Sequence, residues 1–154
     1  MSGKEDYPVI PGKWEIPYVH SAGKFATQFF NRLKEKQIMG SKCSKCNRIL
    51  IPPRSFCEKC FTPITEWIKL PASGTIQTFT ICYEKFAGLP DPPYALATIR
   101  LEGADTDLMH LIGGLDLSDL SAALEKIKVG TKVRAVWSDE RKGSILDIKY
   151  FEPI

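Results

Sequence analysis

The stretch SKCSKCNRILIPPRSFCEKC, Ser41 to Cys60, holds four cysteines in two C-x-x-C pairs, with ten residues between Cys46 and Cys57. Two cysteines three residues apart in a tight turn can grip one metal ion. Two such turns set face to face give a tetrahedral S₄ site, which suits Zn²⁺. The intervening residues are enough for a short hairpin, and RILIPP, Arg48 to Pro53, supplies its apolar strand. The residue after each pair often needs a positive φ. Asn47 tolerates that well and Phe61 fits it less well. A closed S₄ site keeps no position for water or substrate, so the metal is read as structural. The expectation is one Zn²⁺ on Cys43, Cys46, Cys57 and Cys60. A rubredoxin-type iron centre and a disulfide pair suit the spacing less well.

The rest of the composition is that of a soluble globular chain: 154 residues, 44% hydrophobic and 25% charged. No apolar run reaches the roughly 18 residues of a membrane helix. The N-terminus lacks the apolar core of a secretion signal. The cytoplasm is therefore the expected compartment, where thiols stay reduced. Residues 1–73 carry 12 Lys/Arg against 6 Asp/Glu, a net of +6, and residues 74–154 carry 9 against 12, a net of −3. An S₄ zinc site would add about −2 to the first part. The balance is a weak basis for steering nucleic acid.

Outward from the cysteines, three regions separate. Residues 1–20, with Pro8, Pro11 and Pro17, read as an extended arm anchored by Trp14 and Tyr18. Residues 21–73 hold a helix and the ribbon. The helix is expected over 22–36, capped by Ser21, with Phe25, Phe29, Phe30 and Leu33 on an apolar stripe that continues to Lys36 or Gln37. That stripe exceeds what a small ribbon can bury, so it docks on the second domain or on another protein. Residues 74–154 alternate as strands: Phe79, Ile81 and Tyr83; Ala95, Ala97, Ile99 and Leu101; LMHLIGG; Val133, Ala135 and Trp137; Leu146, Ile148 and Tyr150. A helix capped near Asp116 or Ser118 and stopped by Gly130 falls between the third and fourth. Three strands, a helix and two strands is the order of a five-stranded OB barrel. The fold class is mostly β: a helix and zinc ribbon followed by an OB barrel.

The stretch FFNRLKEKQIMGSKCSKCNRILIPPRSFCEKC, with its phenylalanine-bearing helix, two knuckles and Pro-Pro-Arg before the third cysteine, resembles the rubredoxin-like zinc ribbon that precedes the acyl-CoA-associated OB-fold domain. Gly74, Pro93-Tyr94 and KVGTKVRAVW come next in matching order, so the resemblance spans about residues 20–151. Asn47 and Phe61 depart from the family's commoner glycine-like knuckle positions. The resemblance implies a non-catalytic protein of lipid metabolism. Such a protein accompanies thiolase-like and hydroxymethylglutaryl-CoA-synthase-like enzymes, and it binds acyl-CoA or bridges them.

The residues themselves give catalysis little support. His20 and His110 have no local partner, Cys82 lies on a strand without a base, and Glu102, Asp105, Asp107, Asp139 and Glu140 read as solvated turn residues. CoA would ask for cations at its phosphates and an apolar groove for its arm. Lys42, Lys45, Arg48, Arg54 and Lys59 are the candidate cations. Phe25, Phe29, Phe30, Phe86 and Tyr94 are the candidate groove or partner surface. The alternative is a ribbon and barrel that bind nucleic acid. It wants aromatics among cations on the barrel face, and Gln77, Thr78, Thr80, Leu96 and Thr98 do not supply them.

Overall fold

The structure, a computed structural model, describes residues 8, 10–12 and 16–154. Trp14 of the expected arm lies outside these residues. Helix α1, Gly23–Lys34, leads into a three-stranded antiparallel sheet of β1 (Ile38–Lys42), β2 (Ile49–Leu50) and β3 (Glu66–Leu70), in the order β2-β1-β3. The two knuckles project from this sheet. β4 (Ser73–Cys82), β5 (Tyr94–Leu101), β6 (Leu108–Ile112), β7 (Lys132–Trp137) and β8 (Ile148–Pro153) then close a barrel in the order β4-β5-β6-β8-β7, with α2 (Leu120–Lys126) between β6 and β7. This is the OB order. β6 and β8 meet in parallel at Ile112 and Phe151, and a side chain on Gly113 would collide there with the Tyr150 ring.

Burial explains the register. On β5 the alternate residues Ala95, Ala97, Ile99 and Leu101 all face inward, as the sequence pattern requires. The β8 pattern is corrected. Residues 145–147 form a single 3₁₀ turn and Leu146 is exposed; Ile148 enters the core as expected, but Phe151 and not Tyr150 is the next residue buried there. The buried Asp147 carboxylate is the cause: it accepts the N–H groups of Lys142 (2.9 Å) and Gly143 (2.8 Å) and shapes the turn before the strand starts. Tyr83 likewise falls beyond β4 and is exposed.

Helix α1 docks on its own chain. Phe29 and Leu33 are buried in a cluster that also contains Ile38, Ile51 and Leu70 of the ribbon sheet and Ile76, Ile99 and Phe151 of the barrel. Arg141, from the β7–β8 connection, donates to the Lys34 carbonyl at the helix end (2.9 Å). The helix boundaries are narrower than expected. Ala22 is the N-cap without a side-chain bond, although Ser21 Oγ accepts from the Gly23 N–H (3.2 Å). Lys36 does not continue the stripe, because its φ of 56° ends the helix. On α2 the cap is Asp119, which accepts from the Ala122 N–H; Asp116 instead holds Ser118 just ahead of it.

The ribbon and barrel are stitched by the β5–β6 turn. Asp105 Oδ2 accepts from the Ile49 N–H (2.8 Å), and the Asp105 N–H donates to the Ile49 carbonyl (2.8 Å). The Thr106 hydroxyl accepts from the Ile51 N–H (2.7 Å) and donates to the Ile51 carbonyl (2.8 Å). These bonds complete the otherwise open edge of β2. Asp105 and Thr106 are thus structural, where the sequence suggested only a solvated turn. Nothing local marks them, since their partners lie 55 and 56 residues away.

Candidate metal centre and the surface around it

The sulfurs of Cys43, Cys46, Cys57 and Cys60 all lie within 4.8 Å of one another. Cys46 and Cys57 are 3.7 Å apart, far beyond a disulfide's roughly 2.05 Å. A tetrahedron with Zn–S bonds of about 2.3 Å has edges of about 3.8 Å, so the spacing fits one S₄ zinc. Each knuckle is closed by the same pair of backbone bonds. Cys43 N–H donates to Arg48 O and Asn47 N–H to Cys43 O; Cys57 N–H donates to Thr62 O and Phe61 N–H to Cys57 O. Asn47 and Phe61 take φ of 60° and 51°, the positive values expected after each pair.

The sulfurs already differ electrically. The Cys46 backbone N–H draws the Cys43 thiol down to about 7. The Cys60 thiol is pushed up to about 12, first by its hydrogen bond with the Cys46 sulfur. Four sulfurs this close resist sharing negative charge, and a dication at their centre removes the conflict. Glu58, inside the second knuckle, pairs with Arg48 at 2.8 Å and reaches Arg54 at 3.5 Å. Its own backbone N–H first, and then Arg48, hold its carboxyl below the usual carboxylate range.

Beside the ribbon runs an apolar strip. A groove of about 360 Å³ is lined by Phe29 and Phe30 of α1, Pro52 and Pro53 of the ribbon, and Met109 and Ile145 of the barrel. A second, of about 220 Å³, shares Met109 and Ile145 and adds Leu89, Leu96, Leu111 and Leu146. Met109 is 64% exposed on the outer face of β6.

Residues 30–66 match the family model described as the ChsH2 rubredoxin-like zinc ribbon domain, and residues 67–138 match the ChsH2 C-terminal OB-fold domain. A solved Sulfolobus solfataricus protein of unknown function from the DUF35 family is 33% identical; the likeness covers 74% of this chain and 78% of that one, with a TM-score of 0.57. The chain belongs to the DUF35 family. A second solved structure, described as an Ltp2-ChsH2(DUF35) aldolase, is 18% identical over 88% of this chain and 98% of that one, with a TM-score of 0.63, and speaks to the fold alone. No curated protein matches. The resemblance carried by the helix, the knuckles and the barrel order is borne out, as is the single structural zinc.

In this DUF35 chain the cations of the ribbon are not equivalent. Arg48 is engaged by Glu58, and Lys42 lies 3.5 Å from Glu66. Arg54 is held only at 3.5 Å, and Lys45 and Lys59 are exposed without an ion pair among the described residues. The apolar candidates also separate. Phe29 and Phe30 line the groove, whereas Phe25 stacks on Trp67 at 5.1 Å. Phe86 is exposed on the β4–β5 connection. Tyr94 is a core residue, 5% exposed, and not a surface one: it starts β5 opposite Cys82, its hydroxyl is buried without a hydrogen-bond partner among the described residues, and burial raises its pKa. The sequence missed Pro52, Pro53, Met109 and Ile145, which topology alone brings together.

His110 is held inside the barrel. Its Nδ1 accepts from the Leu111 N–H (2.9 Å), which leaves Nε2 to donate to the Ile145 carbonyl (3.1 Å). Burial lowers its pKa below the ordinary value. Both nitrogens are occupied, so the ring serves the fold. Among the described residues no helix is long and apolar enough to cross a membrane.

Proposed function

We propose that this chain is a non-catalytic accessory subunit that seats against a thiolase-like or hydroxymethylglutaryl-CoA-synthase-like enzyme and meets its acyl-CoA. The observation that carries this reading is the apolar strip shared by helix, ribbon and barrel. It is open and largely apolar, its Asp107 is paired with Arg100, and both grooves share the exposed Met109. Exposed apolar surface of this kind marks a partner or ligand site. The DUF35 chain named with Ltp2 in an aldolase supports a partnership of the same sort. Pro52 and Pro53 of the groove wall lie between the two knuckles in the chain, and Asp105 and Thr106 hold the ribbon to the barrel, so a metal on the four cysteines would support the surface without touching a reactant. The outer β4-β5-β6 face is mainly Thr78, Thr80, Leu96, Thr98, Met109 and Leu111; Phe79 is a half-buried aromatic at its edge and the cation that continues it on β5, Arg100, is paired with Asp107, so it makes a poor stacking platform for single-stranded nucleic acid.

The test is a tagged pull-down from the native cell with identification by mass spectrometry, repeated with Met109→Asp. Recovery of a thiolase-like or synthase-like enzyme by the wild type, lost in the variant, is expected. Recovery of neither enzyme, or equal recovery by both proteins, would sink the reading.

A further inference from the structure

Phe61 is the side chain the fold explains least. Its φ of 51° lies where residues with a Cβ are strained, yet it is 82% exposed, so no packing offsets the strain. Asn47 shows that the same turn closes with a residue suited to the conformation. The ring therefore serves the surface, not the turn. Its neighbourhood has a definite character. Phe56 is also exposed, on the segment bridged to Pro63. Lys59 precedes Phe61 by two residues and has no ion pair among the described residues. Arg54 is half-exposed and loosely held. Glu58, the one acid of this turn, is drawn to Arg48.

Aromatic faces beside one exposed and one loosely paired cation suit a ligand that is flat, aromatic and anionic. Arg54 links this surface to the apolar groove: it directly follows Pro52 and Pro53 of the groove wall and reaches Glu58 of the second knuckle at 3.5 Å. A ligand with a phosphorylated purine head and a long, largely apolar arm would span both. We infer that the second knuckle is the platform for the nucleotide end of CoA, with Phe61 stacking on the adenine and Lys59 and Arg54 taking the phosphates. The inference rests on the acyl-CoA reading above and adds where the head lies.

Calorimetric titration of the zinc-loaded full chain, alone and with its copurified enzyme, tests it with three probes: CoA, 3′,5′-ADP and pantetheine. CoA and 3′,5′-ADP should bind. Phe61→Gly should weaken both by roughly fivefold or more while zinc content holds and the melting temperature stays or rises. Phe61→Trp should retain affinity, and Lys59→Ala should weaken both ligands more at low salt than at high salt. Glycine variants that bind CoA as tightly as the wild type would overturn the platform and leave the acyl-CoA reading standing. A wild type that ignores all three probes in both settings would overturn the two together. Tighter binding of a single-stranded oligonucleotide than of CoA would give the platform to nucleic acid. Loss of the partner enzyme with unchanged CoA binding in Phe61→Gly would make it a protein contact. Either result would overturn the proposal.

Discussion

Cys43 to Asn47 and Cys57 to Phe61 repeat one turn, bond for bond, around one metal. The closing hydrogen bonds agree in length: 2.9 Å from each first cysteine and 2.8 Å from the residue after each pair. The chain beyond the two turns differs. The first knuckle runs into β2, whose edge is covered by Asp105 and Thr106. The second runs through exposed Phe61 and Pro63. Identical backbone demands are met by a well-suited asparagine where the surroundings supply rigidity, and by an ill-suited phenylalanine where the turn faces outward. The difference shows that local geometry selects the left-handed conformation but not the residue that occupies it.

The largest effect should erase the comparison altogether. Cys43 and Cys57 are both fully buried, so Cys43→Ser and Cys57→Ser should each lose the zinc and unfold the ribbon. Structural zinc contributes on the order of 10 kcal/mol to such small modules. Elemental analysis should fall from one zinc per chain toward none in both variants, and a chelator should reproduce the loss. Zinc retained by one variant would mean that the knuckles do not share the ion equally.

Next comes the support that only the first knuckle has. Thr106→Val keeps the shape but strands the N–H and C=O of Ile51, which is fully buried. Leaving these groups unpaired should cost about 2 kcal/mol in urea unfolding and speed zinc transfer to a chelator. No change would show that β2 holds its place without the barrel.

These contacts also mark how far the sequence could be read. The metal site was legible because C-x-x-C spacing is a local constraint, and positive φ at Asn47 and Phe61 comes from the same turn. The barrel order was legible because its strands alternate, most cleanly at Ala95, Ala97, Ile99 and Leu101 of β5. Leu146 and Phe151 were not, since the start of β8 is set by the Asp147 carboxylate binding backbone five and four residues earlier, which no alternation records. Tyr94 was misplaced because a tyrosine after a proline-rich loop reads as surface, whereas the register opposite Cys82 buries it. The groove could not be foreseen: its walls come from three segments far apart in sequence, and only closure of the barrel against α1 joins them.

A smaller effect should invert the usual expectation for removing an aromatic ring. Phe61→Gly relieves the left-handed strain and should stabilise the holo protein by about 1 kcal/mol, whereas Asn47→Gly should change it little, because asparagine already tolerates this conformation. Asn47→Phe is the reciprocal and should cost about what Phe61→Gly gains. Thermal melts of the three variants at fixed zinc decide this. A destabilised Phe61→Gly would mean that the ring packs in the folded state and would remove the reason to assign it to a ligand.

The smallest effect separates the two arginines that share Glu58. Arg48 makes the close pair at 2.8 Å and is the less exposed of the two, with 26% of its side chain accessible against 48% for Arg54. Exposed pairs contribute roughly 0–1 kcal/mol, so Arg48→Ala should lower stability by less than about 1 kcal/mol, and added salt should shrink the gap. Arg54→Ala should leave the melt unchanged, because a 3.5 Å contact to a carboxyl already engaged elsewhere contributes little. The fold thus uses one arginine to hold Glu58 and leaves the other half-exposed between the groove and the second knuckle. Equal losses in the two variants would show that the fold holds Arg54 no less firmly than Arg48, and the second knuckle would then keep only Lys59 as a free cation beside its ring.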